Sequence, residues 1–265
     1  MPEPGRVARW RSGRLGQRLK EPVRSLLERA GYDLVPLERP EHEIFTAALS
    51  RHRVDLVVDV GANQGQYARR LRTLGYTGRI LSFEPGRDAY ALLERRTAAD
   101  PAWEARRTAL GDAPGRLPLH VSQNSVSSSL LEVGRRHVEA APDSRTTGTE
   151  EVAVDTLDAL DVGGERLLLK VDTQGYELPV LRGAARTVAR ARLLQLEVSL
   201  GALYEEQTDH IRLLDHVRGL GFEVLDLRPG FRDARTGQLL QFDLLAQRPE
   251  RHGADDAANA RTGPA

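Results

Sequence analysis

Val57-Val58-Asp59-Val60-Gly61-Ala62-Asn63-Gln64-Gly65 is the stretch on which the reading of this 265-residue chain turns. An apolar run with an acid near its end stops at a glycine, a second glycine follows, and a helical pattern begins near Tyr67. That is a strand, a tight loop and a helix N-terminus in succession. Glycine at 61 and 65 lets the backbone turn sharply and lets a ligand approach without meeting a Cβ. The helix behind offers free N–H groups to an anionic or carboxylate-bearing ligand. The dinucleotide pattern G-x-G-x-x-G is absent, because Asn63 stands where its second glycine would admit a pyrophosphate.

Outward from this stretch, short apolar runs alternate with helical patterns, the rhythm of βαβ units and a mainly parallel sheet. Strands are predicted at Leu56–Val60, Ile80–Glu84, Thr108–Leu110, Leu117–Val121, Leu167–Asp172, Leu193–Val198, Phe222–Leu227 and Leu239–Ala246. Helices are predicted near Tyr67–Leu74, Asp88–Ala99, Leu178–Ala189 and His210–Leu220. Several strands are apolar on both faces, as buried parallel strands are. Arg228–Gln238, with Pro229, Gly230 and Gly237, reads as the turn of a closing antiparallel hairpin. Ser122–Glu151 is polar, holds five serines between 122 and 129, and is expected to form a lid or substrate loop with a short helix around Leu130–Val138. The organisation expected is a basic helical segment 1–45, one α/β domain 46–248 and a disordered tail 249–265 rich in Ala, Gly, Asp and Arg.

Lysine and arginine total 38, as do aspartate and glutamate. A zero balance argues against a protein that holds nucleic acid by bulk phosphate neutralisation. Residues 1–30 nevertheless carry seven arginines and Lys20 against three glutamates. Val7, Trp10, Leu15, Leu19, Val23, Leu26 and Leu27 alternate with those arginines. Such a pattern suits peripheral contact with an anionic membrane or a partner, although Gly13, Gly16 and Pro22 interrupt it and favour a helix that covers the core. Cysteine is absent, so disulfides, thiol nucleophiles and cysteine metal sites are excluded. With no apolar run long enough to cross a bilayer and no apolar leader, a cytoplasmic location is expected.

Five predicted strands end in, or run into, an acid: Asp59, Glu84, Asp112, Asp172 and Glu197. Ligands of open α/β sheets bind outside the carboxyl ends of the strands, so these acids are expected to share one rim. Glu84, after the second strand, is placed to accept hydrogen bonds from both hydroxyls of a ribose. Asp112, after Gly111, is placed to take an adenine amino group. Lys170, one of two lysines in the chain, interrupts Leu167-Leu168-Leu169 and lies on the same face as Asp172. A buried ammonium needs a partner, so a structural ion pair is as good an expectation as a catalytic role. Glu177 follows Gly175 and is expected to turn back towards Asp172.

Taken together, Val58–Gly65, Phe83-Glu84-Pro85, Ala109-Leu110-Gly111-Asp112, the Ser125–Leu130 segment, Lys170-Val171-Asp172-Thr173-Gln174-Gly175-Tyr176-Glu177 and Leu196-Glu197 resemble the FkbM family of S-adenosylmethionine-dependent methyltransferases. The resemblance runs over about residues 45–248. It implies a class I methyltransferase fold, Rossmann-like and seven-stranded, with helices on both faces and an antiparallel last strand. The reaction implied is methylation of a hydroxyl on a natural product, sugar or glycan. By the same resemblance Asp59, Gly61, Ala62, Asn63 and Gly65 would hold the methionine end of S-adenosyl-L-methionine, Glu84 the ribose and Asp112 the adenine side. Asp172 and Glu197, supported by Glu177 and Lys170, would face the methyl group and the acceptor.

Methyl transfer is an in-line displacement that needs mainly alignment, plus a base near the acceptor proton. Asp172 is the favoured base or orienting group; a lysine beside a carboxylate favours its ionised form and so the orienting role. A variant places Mg²⁺ between Asp172 and Glu197, but carboxylates without ligand-specific spacing argue against a metal site, and the histidines show no paired spacing. Two other functions fit parts of the chain. One is an NAD-dependent oxidoreductase using Gly61–Gly65 and Glu84, disfavoured by Asn63. The other is a non-catalytic binding module driven by the basic segment.

Overall fold

In this computed structural model the described residues are 40–249. Most of the expected basic segment 1–45 and of the tail 249–265 lies outside them. The first described helix, α1 (Pro40–Arg51), begins ahead of the expected boundary at 46, and Phe45 is buried in the domain core.

Seven strands form one sheet: β1 (Leu56–Val60), β2 (Arg79–Phe83), β3 (Trp103–Arg106), β7 (Leu167–Val171), β8 (Ala191–Ser199), β9 (Glu223–Pro229) and β10 (Gln241–Gln247). Their order is β3-β2-β1-β7-β8-β10-β9, and β10 alone runs antiparallel to its neighbours. This is the class I methyltransferase arrangement expected above. The remaining three strands, β4 (Ala109–Leu110), β5 (Gly115–Ser122) and β6 (Thr146–Asp155), make a small separate sheet in the order β4-β6-β5.

Alternation along the central strands explains the layers. Val58 and Val60 of β1 and Leu167, Leu169 and Val171 of β7 pack on one face, against α5 (Glu177–Arg182), α6 (Ala185–Arg190) and α7 (His210–Gly219). Val57 and Leu168 face the other way, towards α1, α2 (Gln66–Thr73) and α3 (Arg87–Thr97). Both faces are covered, so the central strands are apolar throughout.

Four expectations are corrected. The third strand of the large sheet is Trp103–Arg106; Thr108–Leu110 contributes only Ala109–Leu110, which pairs with β6. An edge strand reading Trp-Glu-Ala-Arg fully buries only Trp103 and carries no apolar pattern. Ser122–Glu151 is not one long loop, because its end enters β6, where only Val152 and Val154 alternate inward. The short helix expected at 130–138 is Arg135–Ala140, called α4, and the helix expected at 178–189 is two short ones, α5 and α6.

Candidate functional site

The loop after β1 is shaped by packing. Gly61 has φ +75° and Gly65, which caps α2, has φ +82°. A Cβ on Gly61 would lie 1.9 Å from the carbonyl oxygen of Asp172, and one on Gly65 would press on Trp103 and Leu93. Both missing side chains therefore make room for protein rather than for a ligand, which corrects the sequence argument for these glycines. Asn63, also left-handed at φ +46°, accepts from the Gln64 N–H at 2.7 Å through its own side chain. Ala62 is buried in the core on the α2 face.

Beneath this loop a row of polar side chains crosses four apolar strands in register: Ser82, Asp59, Lys170 and Gln195. Lys170 Nζ is 2.9 Å from Asp59 Oδ1 and 3.5 Å from Asp172 Oδ2, and it donates to the Gly61 carbonyl at 3.1 Å. Burial opposes the ammonium, but Asp59 and Asp172 outweigh it and hold the amine above its ordinary value. Asp59 is fully buried and is not among the residues that line the cavity; the ion pair expected for Lys170 is made with it. The pair acts on the glycine loop from below.

Glu84 follows β2. Its Oε2 accepts from Asn63 N and its Oε1 from Gly86 N, both at 2.8 Å. Burial pushes its carboxyl up to about 7, against these two donors and Lys170. Each oxygen keeps a second lone pair for a ligand hydroxyl.

A second acidic group gathers towards the C-terminal ends of β7 and β8. Asp172 Oδ1 and Glu197 Oε2 both accept from Gln174 Nε2, the first at 2.8 Å, and Gln241 Nε2 also donates to Glu197 Oε2 at 2.8 Å. Asp243 pairs with Glu197 across the antiparallel β10 and β8. Burial first, then Asp172, Glu177 and Asp243, hold the Glu197 carboxyl well above its ordinary value. Glu177 turns back as expected, but to the backbone: its Oε1 accepts from Thr173 N and Gly175 N at 3.0 Å. It locks the turn after β7, and burial raises its carboxyl to about 7. An amide N–H donor between Asp172 and Glu197 stands where a shared cation would sit, so this pair does not fit Mg²⁺. Among the described residues no group of three or more His, Cys, Asp or Glu could hold a metal ion.

Asn63, Glu84 and Asp172 open onto one cleft of about 540 Å³, counting its part open to solvent. That lies within the range of roughly 300–1,000 Å³ usual for ligand sites. Val60, Phe83, Leu110, Leu119 and Leu130 give it apolar walls. Ser125, Ser128 and Ser129 form its polar side, and Asn63 Nδ2 donates to Ser125 Oγ at 3.3 Å. Asp112 does not join them: it is exposed, outside the lining, and follows a strand of the small sheet instead of the large one. Tyr176, Leu119 and Gln174 were not singled out from sequence.

Among solved structures, the methyltransferase FkbM of Methylobacillus flagellatus KT is 18% identical, with 72% of this chain and 43% of that one covered at a TM-score of 0.47. Methyltransferase sdnD of Sordaria araneosa is 31% identical over 153 residues, 48% of this chain and 59% of sdnD. The chain thus matches rather less than two thirds of that relative's length. The 2-O-methyltransferase NoeI of Sinorhizobium fredii is 27% identical over 169 residues, 60% of this chain and 70% of NoeI. Residues 59–224, more than half of the sequence, match the model of the methyltransferase FkbM domain, and the chain belongs to that family.

Proposed function

We propose that this chain transfers a methyl group from S-adenosylmethionine to a hydroxyl oxygen of a small-molecule or glycan acceptor. The observation that carries the proposal is the single cleft with two separate carboxylates, Glu84 and Asp172, set between apolar walls. Its donor set suits a nucleoside bearing a cation. Apolar side chains of β2, β4 and β5 take a flat ring, Glu84 takes hydroxyl hydrogens, and Asp172 faces positive charge. Bound there, S-adenosylmethionine supplies a methyl group on a sulfonium, open to in-line displacement by oxygen.

The chain's own residues do the rest. Asn63 and Glu84 fix one end of the ligand, the serines cover it, and Asp172 accepts the hydrogen bond of the acceptor hydroxyl and takes its proton as the C–O bond forms. Alignment of this kind supplies most of what a displacement needs. Lys170 holds both the Gly61 carbonyl and Asp172, so it sets the loop and the acceptor-facing carboxylate relative to each other. Asp112 stays a proposed contact for the adenine side only through movement of its exposed turn. Among the described residues no helix is long and apolar enough to cross a membrane.

Radiolabelled methyl transfer from S-adenosylmethionine to a panel of sugars, glycans and hydroxylated natural products tests this. Labelled methyl ether on at least one hydroxyl acceptor is expected, and its loss in Asp172→Asn with cofactor binding retained. Transfer to nitrogen or carbon acceptors only, or turnover unchanged in Asp172→Asn, overturns it.

A further inference from the structure

Gln174 sits between two carboxylates and a phenol in a conformation that residues other than glycine seldom adopt. Its φ is +57° and that of Gly175 is +98°, so the turn after β7 runs through two left-handed residues in succession. A glutamine stays there only when its surroundings over-determine it. Here every polar atom of its side chain is engaged. Nε2 donates to Asp172 Oδ1 at 2.8 Å and to Glu197 Oε2, while Oε1 accepts the Tyr204 hydroxyl at 2.6 Å. Its backbone carbonyl accepts from Ser129 Oγ at 2.8 Å. Gln174 is 9% exposed and Tyr204 is 1% exposed.

A neutral amide does what neither a cation nor an apolar residue can do at this point. It offers one hydrogen to each of two acids and so holds them close without cancelling their charge. The two ionised acids can only accept and so take the N–H end of the amide, and the Tyr204 hydroxyl, its one hydrogen divided between Oε1 and the Ser127 carbonyl, holds the other end. Tyr204 is itself held: its hydroxyl reaches the Ser127 carbonyl at 3.0 Å and its ring meets the edge of His137 at 5.1 Å. Ser127 and Ser129 belong to the serine-rich segment beside the cleft, so that segment joins the acidic pair through Gln174.

We propose that Gln174, oriented by Tyr204, is the positioning residue that binds Asp172 and Glu197 into one proton-sharing pair at the cleft. The pair is faced by Lys170 from β7, Glu177 from α5, Asp243 from β10 and Tyr204 from the segment after β8. Arg70 of α2 and Arg228 of β9 act on it through Asp243. The pair's purpose rests on the methyl-transfer proposal; its existence does not.

The test is a carbon-13 NMR titration of protein labelled at the Asp and Glu carboxyls, with Asp172→Asn and Glu197→Gln to assign the signals. In the unaltered chain each of the two carboxyls is expected to respond at both steps of a coupled titration. Gln174→Met keeps the length and removes the donors, and the lower apparent pKa of the pair should rise by about 1. Tyr204→Phe should move it the same way by less. Independent one-step titrations in the unaltered chain, or an unmoved titration in folded Gln174→Met, overturn the proposal. Where near-ultraviolet circular dichroism shows that Gln174→Met does not fold, an unmoved Tyr204→Phe titration overturns it instead. S-adenosylmethionine binding by the same unaltered sample keeps the two proposals apart. No binding overturns methyl transfer, and the titration still decides the pair.

Discussion

Lys170 borders two groups of carboxylates with opposite fates. Asp59, beside it in the sheet and beneath the glycine loop, is fully buried and matched by the ammonium at 2.9 Å. Asp172, Glu197 and Glu177, above it at the strand ends, outnumber the cations near them and are held mostly by neutral N–H donors. A carboxylate matched by a cation has its chemistry used up in holding the fold. Burial and mutual repulsion hold the Glu197 and Glu177 carboxyls above the usual carboxylate range, which is the condition for handling a proton. The difference separates structural from chemical acids in a motif where all of them look alike.

Breaking the lower group should have the largest effect. Lys170→Met leaves Asp59 buried and unpaired and is expected to cost about 3–5 kcal/mol of stability, read by chemical denaturation. Gly61→Ala follows, at about 3 kcal/mol, because a methyl would meet the Asp172 carbonyl in a left-handed residue; a thermal melt reads it.

The upper group is sharpened by pH. Glu177 has its folded value raised from 4.5 to about 7, so its contribution to stability is full below about pH 4.5 and is lost as pH rises through about 7. Glu177→Gln keeps an oxygen for the turn and should flatten that slope, gaining roughly 2–3 kcal/mol relative to the unaltered chain between those limits. Denaturation curves across that range check the sign. A steeper slope in the variant contradicts it.

Ligand contacts come last. Glu84→Ala should weaken S-adenosylmethionine binding about tenfold or more, the usual loss for a hydrogen bond to a charged group. Ser125→Ala removes one 3.3 Å bond to Asn63 and should cost less than about 1 kcal/mol of binding energy, read in the same calorimetric titration.

The same contrast explains what was legible in the amino-acid sequence. Strands β1, β2, β7 and β8 are covered on both faces, and a run such as Leu167–Leu169 announces that directly. β3 escaped because an edge strand spelled Trp-Glu-Ala-Arg has nothing to repeat, and with it went the placement of Asp112. β6 escaped because its first six residues, Thr146–Glu151, are polar and largely exposed. Within the site, Asn63, Glu84 and Asp172 stand beside glycines or at strand ends and were visible. The Lys170–Asp59 partnership was half visible, since a lysine in an apolar strand demands an acid but does not say which. Gln174 and Tyr204 were invisible: neutral side chains thirty residues apart meet only through the fold.

The central claim is that the cleft between Glu84 and Asp172 holds a sulfonium nucleoside. Isothermal titration of the unaltered chain with S-adenosylmethionine, S-adenosylhomocysteine and NAD tests it most directly. Saturable binding of the first two, weakened in Glu84→Ala, with none for NAD, is the result predicted. Binding of NAD alone, or of S-adenosylmethionine with equal affinity in Glu84→Ala, would contradict it.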